Sequence, residues 1–216
     1  MPIDKLDSDR AEASGIEARV ATASDLDGLV DTLARAFSDD PVWSWAFPDP
    51  GDLTIWWRFV IASALRYPEV WITGDYAAAS VWIPPAGMEL TEQEEGRVES
   101  LLGELIGSRA SSVISLLERF ETAHPRERPH YYLSLLGVHP DHRGKGLGMG
   151  LLAENLRRLD VVDGAAYLES SNPANDRRYE ALGFRHVGSF TTPDGRNAVA
   201  TMWRGAVLAG TAAPVP

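Results

Sequence analysis

The chain has 216 residues, 44% hydrophobic and 24% charged, which is enough for one globular domain with a sizeable core. It has no cysteine, so disulfides, thiolate metal sites and a cysteine nucleophile are excluded. The formal net charge of -11 argues against general nucleic-acid binding. It mildly favours a cationic substrate, with a solvated acidic surface as the alternative that explains most of the charge. No apolar run approaches a membrane span, and the polar residues 1–15 do not resemble a signal peptide. We therefore expect a cytoplasmic protein without membrane contact.

The first part of the chain predicts strands and helices in alternation. Before residue 84 these are a strand at 17–23, helices at 26–37 and 53–66, and a hairpin of strands 70–74 and 77–83. Ser24 and Asp27 form a candidate capping box for the first helix. Aromatic residues are dense here and predict either helix packing onto a sheet or an apolar substrate pocket. They include Trp43, Trp45, Phe47, Trp56 and Trp57.

A helical segment separates this part from the second half. Residues 91–123 predict a pair of amphipathic helices. Their role stays open between a lid, a dimer surface and plain packing. After them the pattern predicts strands at 131–138 and 165–169 joined through a helix, a short helix closed by Gly183, and a hairpin of strands 185–190 and 198–204.

A glycine-rich loop follows the most apolar stretch of the second half. Residues 133–138 predict a buried strand that ends at Pro140, because proline cannot donate to a ladder. Gly144, Gly146 and Gly148 then lead into a helical pattern. Uncovered N–H groups at the start of a helix attract phosphate. The loop is therefore a candidate anion site, with an ordinary strand-to-helix turn as the alternative.

Two common phosphate-binding motifs do not match this loop. A Walker loop requires serine or threonine after its lysine, whereas Gly146 follows Lys145. A dinucleotide-binding fingerprint requires a third small residue, whereas its two possible registers end on Met149 and Leu151. Neither a nucleoside triphosphatase nor a dinucleotide-dependent enzyme is predicted.

A second motif follows the next predicted strand. Asn175 and Tyr179 stand four residues apart, one helical turn, so they share a face of the short helix and a ligand edge could meet both. Leu182, Gly183 and Phe184 follow directly.

Together the two motifs resemble the GNAT superfamily of acetyl-CoA-dependent N-acetyltransferases. Residues 143–148 are similar to its R/Q-x-x-G-x-G/A pyrophosphate loop, and residues 136–140 to its L-x-V-x-P lead-in. The asparagine, tyrosine and Leu-Gly-Phe turn are similar to its second motif. The resemblance covers most of residues 17–204 and is greatest to the puromycin N-acetyltransferase-like small-molecule group.

The resemblance implies an α/β fold, with a mixed, mostly antiparallel central sheet that contains a splayed parallel strand pair and is flanked by helices. Length and composition predict a single domain at residues 16–204 between flexible tails at 1–15 and 205–216, and compared with the family residues 86–129 are a helical insertion. The resemblance also implies a site for acetyl-CoA (coenzyme A). The residues expected to bind it are Leu136, Gly137, Val138, Arg143, Gly144, Lys145, Gly146, Leu147, Gly148 and Asn175.

The chemistry requires an oxyanion donor and an acid. A backbone N–H in the strand gap near Leu136 would polarise the thioester carbonyl, and Gly137 is expected to form a bulge there. Tyr179 would protonate the leaving sulfur, since a tyrosine with its pKa of about 10 is a neutral donor. Packing of Tyr179 and helix capping by Asn175 are the structural alternatives.

The base is harder to assign because residues 131–138 contain no carboxylate. Glu169, at the end of the neighbouring strand, is the expected catalytic substitute, and a partner role for a nearby arginine is its alternative. His130 and His139 are further candidates, interpreted chiefly as surface residues.

The sequence thus predicts an enzyme that moves an acetyl group from acetyl-CoA to a primary amine of a small molecule by direct attack. The expected protein is a monomer or homodimer with a small-molecule amine partner and no metal. A catalytically weak acyl-CoA-binding sensor, and a protein N-terminal or lysine acetyltransferase, stay open as alternatives.

Overall fold

A mixed seven-stranded sheet forms the centre of the computed structural model, which describes residues 16–206. Its strands are β1 (Ala18–Val20), β2 (Val70–Thr73), β3 (Ala78–Ile83), β4 (Tyr131–Val138), β5 (Ala166–Ser170), β6 (Arg185–Thr191) and β7 (Ala198–Arg204). They lie in the order β1-β2-β3-β4-β5-β7-β6. Strands β4 and β5 are parallel, and every other neighbouring pair is antiparallel. The predicted fold class is confirmed.

Helices cover both faces of this sheet. They are α1 (Leu26–Phe37), α2 (Trp43–Ala46), α3 (Pro50–Ala64), α4 (Glu92–Glu95), α5 (Val98–Ile106), α6 (Ala110–Ala123), α7 (Leu147–Val161) and α8 (Asp176–Ala181). One apolar core joins α1, α3, α5 and α6 to one face of the sheet, and a second core joins α7 to the other face. Within residues 16–206, no helix has both the length and the apolar character needed to cross a membrane.

The segment between β3 and β4, residues 86–129, is called the helical connection below. It contains three helices rather than the predicted pair, because the chain turns at Gly96 and again at Gly107, whose φ is +54°. The first of them begins with a capping box between Thr91 and Glu94. Phe120 of α6 then packs edge-on against Phe190 of β6, with ring centroids 5.0 Å apart.

The pairing of β4 with β5 is short, and this opens the sheet. The parallel ladder ends at Leu133 and Leu168, whereas the ladder between β3 and β4 continues to Val138. The last residues of β4 therefore pair with β3 only, and their other edge is open. This is the splayed parallel pair that the resemblance implied.

The expected bulge at Gly137 is wrong. Gly137 pairs in regular register with Ala79, and the irregularity lies between Val81 and Trp82, which face Leu135 and Leu133. Ser134 is thus the extra residue of β4. The bulge turns the strand three residues earlier than predicted.

Gly137 has a packing role instead. A Cβ atom there would lie 2.8 Å from both Ala36 Cβ and Leu33 Cδ2 of α1. Glycine therefore allows α1 to approach the strand closely.

The predicted capping box of α1 is also displaced. Thr22 N donates to Asp25 Oδ2 at 2.8 Å, ahead of the turn Ala23–Asp25 that starts the helix, so Ser24 and Asp27 do not form the box. Asp25 also accepts two bonds from Arg19, and this contact holds its pKa well below the usual range. The tails proposed at 1–15 and 205–216 lie outside the described residues, apart from positions 205 and 206.

Candidate active site

A cavity of about 660 Å³ lies between α1, α3, the helical connection and the open ends of β4 and β5. Its volume is in the usual range for small-molecule sites. Aromatic side chains make up much of its wall, namely Trp43, Trp56, Trp57, Phe120, Tyr132 and Tyr179. The three tryptophans also belong to the core, so the packing and pocket interpretations of this region both apply.

Backbone groups of β4 face the gap beside this cavity. His139 N donates to Ala77 O at 2.9 Å, so alternate residues from His139 backwards bond to β3. By that alternation Gly137 also faces β3. The N–H groups of Leu136 and Val138 point to the open edge, which is the position that an oxyanion donor requires.

The glycine loop lies at the far end of the same strand. Gly144 and Gly146 have φ values of 80° and 75°, and a Cβ atom at either would meet nothing within 4 Å. A Cβ at Gly148, by contrast, would lie 2.8 Å from Val138 Cγ2, so α7 begins close against β4. An open backbone surface at a helix start matches what a pyrophosphate group needs. The residues present therefore fit coenzyme A.

The basic side chains of the loop differ in their contacts. Arg143 donates to both oxygens of Asp39 at 2.8 and 3.0 Å and to Ala36 O at 3.1 Å, which ties the loop to α1. The Asp39 contact raises the pKa of Arg143. Lys145 is exposed, with Nζ 3.5 Å from His142 Nδ1.

Tyr179 lies buried in the cavity wall. Burial raises its pKa, and the nearby carboxylate of Asp40 adds to the rise, so the phenol stays a neutral proton donor. Asp40 is itself buried and accepts bonds from Ser171 Oγ at 2.7 Å and from the N–H groups of Val42 and Trp43. Nothing in the sequence pattern indicated this contact between the loop before α2 and the end of β5.

Asn175 also lines the cavity, one turn before Tyr179. It occupies the N-cap position of α8 without making a side-chain cap bond, and its Oδ1 accepts from Arg178 at 2.9 Å. Asn172 caps the preceding turn instead, by accepting from Ala174 N at 3.1 Å. The capping interpretation of Asn175 is therefore wrong.

Glu169 is enclosed more tightly than expected. Its side chain is 2% exposed, and neither carboxylate oxygen has a hydrogen-bond partner in residues 16–206. The nearest basic side chain in the described residues is His124, whose Nδ1 lies 3.8 Å from Oε1, so the alternative role of Glu169 as an arginine partner is not found there. After burial itself, this carboxylate is the largest cause that raises the pKa values of Tyr132 and Tyr167.

His124 joins Glu169 to His130. His130 Nδ1 lies 2.6 Å from Arg128 O and must donate to that carbonyl, so in its neutral form Nε2 is an acceptor. His124 Nε2, 3.1 Å away, therefore carries a proton. In that tautomer His124 Nδ1 faces Glu169 Oε1 at 3.8 Å, beyond hydrogen-bond distance.

The surface interpretation of His130 is wrong, since it is only 8% exposed. Burial lowers its pKa. His139 lies near Asp31 and Asp141, at 3.6 and 3.7 Å, and is not among the residues that line the cavity.

Glu89 is a cavity residue that the sequence analysis missed. It lies in the turn after β3, and Ser134 Oγ donates to its Oε1. Burial raises the pKa of Glu89. No motif marks this position, because the contact depends on the bulge at Ser134.

Of the expected site residues, Leu136, Glu169, Asn175 and Tyr179 line the cavity. Gly137, Val138 and residues 143–148 lie beyond it, along the open edge and the glycine loop. The cavity residues and the loop residues thus lie at opposite ends of the part of β4 that does not pair with β5, residues 134–138.

Comparison with known proteins agrees with this geometry. The family model of the acetyltransferase (GNAT) domain matches residues 105–186. Mycothiol acetyltransferase of Streptomyces coelicolor is 33% identical over 113 residues, which are 51% of this chain and 30% of that protein. Its counterpart from Acidothermus cellulolyticus is 32% identical over 117 residues, or 50% and 32% of the two chains. The chain thus spans about a third of the length of these curated relatives.

Solved structures show the same fold. Arylalkylamine N-acetyltransferase 2 from Aedes aegypti superposes with a TM-score of 0.67 at 17% identity, over 89% of this chain and 99% of that one. A protein from Corynebacterium glutamicum described as histone acetyltransferase HPA2 and related acetyltransferase gives 0.64 at 22% identity, over 88% and 96%. At these identities the likeness to solved structures is one of fold, and it agrees with the match of the family model to residues 105–186.

Proposed function

We propose that the protein is an N-acetyltransferase that moves an acetyl group from acetyl-CoA to a primary amine of a small molecule by direct attack. The observation that carries this proposal is the position of the open edge of β4, between the glycine loop on one side and the aromatic cavity on the other. Two substrates that approach from opposite sides meet at that edge.

The proposed roles of the chain's own residues follow from their places. Acetyl-CoA supplies the activated acetyl group as a thioester. The N–H groups at 143–148 hold its pyrophosphate, with Lys145 beside them, and Asn175 bonds the chain that leads to the thioester. The N–H of Leu136 or Val138 polarises the thioester carbonyl. Tyr179 donates its phenolic proton to the sulfur.

A small-molecule acceptor is supported by the size and lining of the cavity. Its aromatic walls suit an apolar body, and its carboxylates suit an ammonium group. The resemblance to puromycin N-acetyltransferase-like enzymes stays a prediction, because the relatives found carry other names, mycothiol acetyltransferase and agmatine N-acetyltransferase among them. The cytoplasmic location and the oligomeric state also stay predictions.

The first test is the melting temperature with and without acetyl-CoA, with NADH and ATP as controls. Acetyl-CoA at 100 times its dissociation constant should add about 2.7 kcal/mol. For a chain of this size each kcal/mol raises the midpoint by roughly 2 to 4 °C. A lack of response to acetyl-CoA, or a larger response to NADH or ATP, would contradict the assignment of the glycine loop.

Thiol release across a panel of small amines and peptides then tests the reaction itself. Release with small amines and not with peptides is the expected result. Binding of acetyl-CoA without acceptor-dependent release would favour a sensor, and release with peptides alone would favour a protein acetyltransferase.

A further inference from the structure

The proposed reaction needs a proton acceptor at the cavity, and Glu169 is poorly placed to be one. An alkylammonium substrate must lose a proton before its nitrogen can attack. Both oxygens of Glu169 are enclosed by protein and have less than 1 Å² of accessible surface each. A base must come within hydrogen-bond reach of the proton that it takes, directly or through one water molecule. Glu169 cannot do so in this arrangement.

Glu89 meets the geometric requirement. Its carboxylate reaches β4 from the turn after β3 and accepts the hydroxyl proton of Ser134 through Oε1. The second oxygen, Oε2, has no hydrogen bond within residues 16–206 and is not one of the enclosed, unpartnered atoms. The residue lines the cavity. One oxygen is therefore fixed by the bulge of β4, and the other has no protein partner in the described residues and keeps some accessible surface.

We propose that Glu89 is the general base of acetyl transfer, with Ser134 as the residue that positions it. This inference rests on the proposed function. The ammonium group of the acceptor gives a proton to Glu89 Oε2, and the freed nitrogen lone pair forms the N–C bond. The C–S bond breaks with its electron pair on sulfur, which takes the proton of Tyr179. The second proton lost by nitrogen returns to the tyrosinate. The products are therefore the amide, the free thiol and one proton, which Glu89 holds.

The charges around Glu89 suit this role. The groups that face it are Ser134 from β4, Glu169 from β5, His124 from the end of α6 and Glu95 from α4. Burial and the two carboxylates raise the pKa of Glu89, whereas Ser134 and His124 oppose the rise. A carboxylate with a raised pKa holds a proton from an ammonium group more readily than an ordinary one. Glu169 and His124 thus act on the pKa of Glu89 in opposite directions.

The decisive variant is Glu89→Gln, assayed with the best amine of the panel. We expect kcat/KM to fall at least 100-fold, and the acidic limb of its pH profile to disappear, since that limb reports the base of the free enzyme. The melting shift with acetyl-CoA should stay as in the parent, which shows that the fold and the coenzyme A site are intact. Glu92→Gln makes the same change three residues later, on an exposed residue outside the cavity, and should alter kcat/KM less than twofold.

Two further measurements separate a base from a structural residue. The β,β-difluoro analogue of the acceptor has a less basic amine that is mostly neutral in the assay, so the loss caused by Glu89→Gln should shrink to about tenfold or less. In Ser134→Ala the carboxylate loses a hydrogen bond, which raises the pKa of Glu89. The acidic limb should then move up by about 0.5 to 1 pH unit.

The outcomes distinguish this inference from the proposed function. If the parent protein releases thiol with amines, and Glu89→Gln keeps its activity within fivefold with the acidic limb unchanged, Glu89 is not the base. An equal loss with both acceptors would also overturn the inference, because it would indicate a structural role. If the parent binds acetyl-CoA and acetylates no amine, the proposed function fails and the base assignment fails with it.

Discussion

The two sides of the open edge of β4 are built by different means. On the side of the glycine loop, the proposed site consists mainly of backbone N–H groups, held by residues close together in sequence between 136 and 148. On the side of the cavity it consists of side chains brought together from α1, α3, the helical connection and β5. Backbone recognition constrains residue type, because only glycine leaves the N–H groups uncovered. A cavity wall can be assembled from many residue combinations.

Loss of the proposed acid, Tyr179, should lower the rate of the reaction more than any other change considered below. Tyr179→Phe keeps the buried ring and removes the donor, so we expect kcat to fall by about 100-fold or more with little change in acetyl-CoA binding. Thiol release under saturating acetyl-CoA measures this. Tyr131→Phe, the same change on β4 outside the cavity, is the control and should be nearly silent. Equal activity of Tyr179→Phe and the parent would remove the proposed acid.

A substitution in the glycine loop should weaken acetyl-CoA binding and leave the acceptor cavity unchanged. Gly146→Ala places a Cβ on the open surface at φ 75°, so we expect about tenfold weaker acetyl-CoA binding as well as a strain of roughly 1 to 2 kcal/mol. Gly195→Ala is the matched control, because its φ of 74° is almost the same and the space is also open. Melting curves should show similar destabilisation in both, whereas calorimetric titration with acetyl-CoA should show weaker binding only for Gly146→Ala. Equal affinities would place the pyrophosphate elsewhere.

The smallest effect on the reaction rate is expected at Gly137, where α1 packs against β4. Gly137→Ala forces a methyl group against Leu33 and Ala36, so the free energy of unfolding should fall by about 1 to 3 kcal/mol. In Gly103→Ala, within α5, the new methyl group meets nothing within 4 Å, and the change should instead stabilise slightly. Urea unfolding compares the two. If Gly137→Ala were neutral, the close approach of α1 would not be the reason for glycine there.

Sequence reasoning reached the features that depend on local rules. The strand, loop and helix around Gly146 follow from apolar runs, proline and glycine, and the parallel pairing of β4 with β5 follows from the strand-helix-strand order. The open edge itself was expected only through the family resemblance. Boundaries moved by a few residues, as at the start of α1, where the capping residues are Thr22 and Asp25.

Features that depend on distant contacts were missed or misplaced. Gly137 was interpreted as a bulge because a glycine in a strand often marks one, yet the cause is a helix about one hundred residues earlier in the chain. Glu89 and Ser134 meet only because the register of β4 shifts against β3. His130 is buried and His124 is half-buried, and both make ring contacts with Tyr167 that no spacing rule indicates.

The length of the helical connection has a consequence for the evolution of this protein. β3 and β4 are direct antiparallel neighbours, with Ile83 opposite Tyr132. Their pairing therefore does not depend on the length of the segment that joins them, although its helices α5 and α6 supply part of the core. Replacement of that segment would exchange the wall around His124 and the turn with Glu89 together. The cavity for the amine substrate and the proposed base would then change together, while the glycine loop proposed to bind acetyl-CoA stays the same.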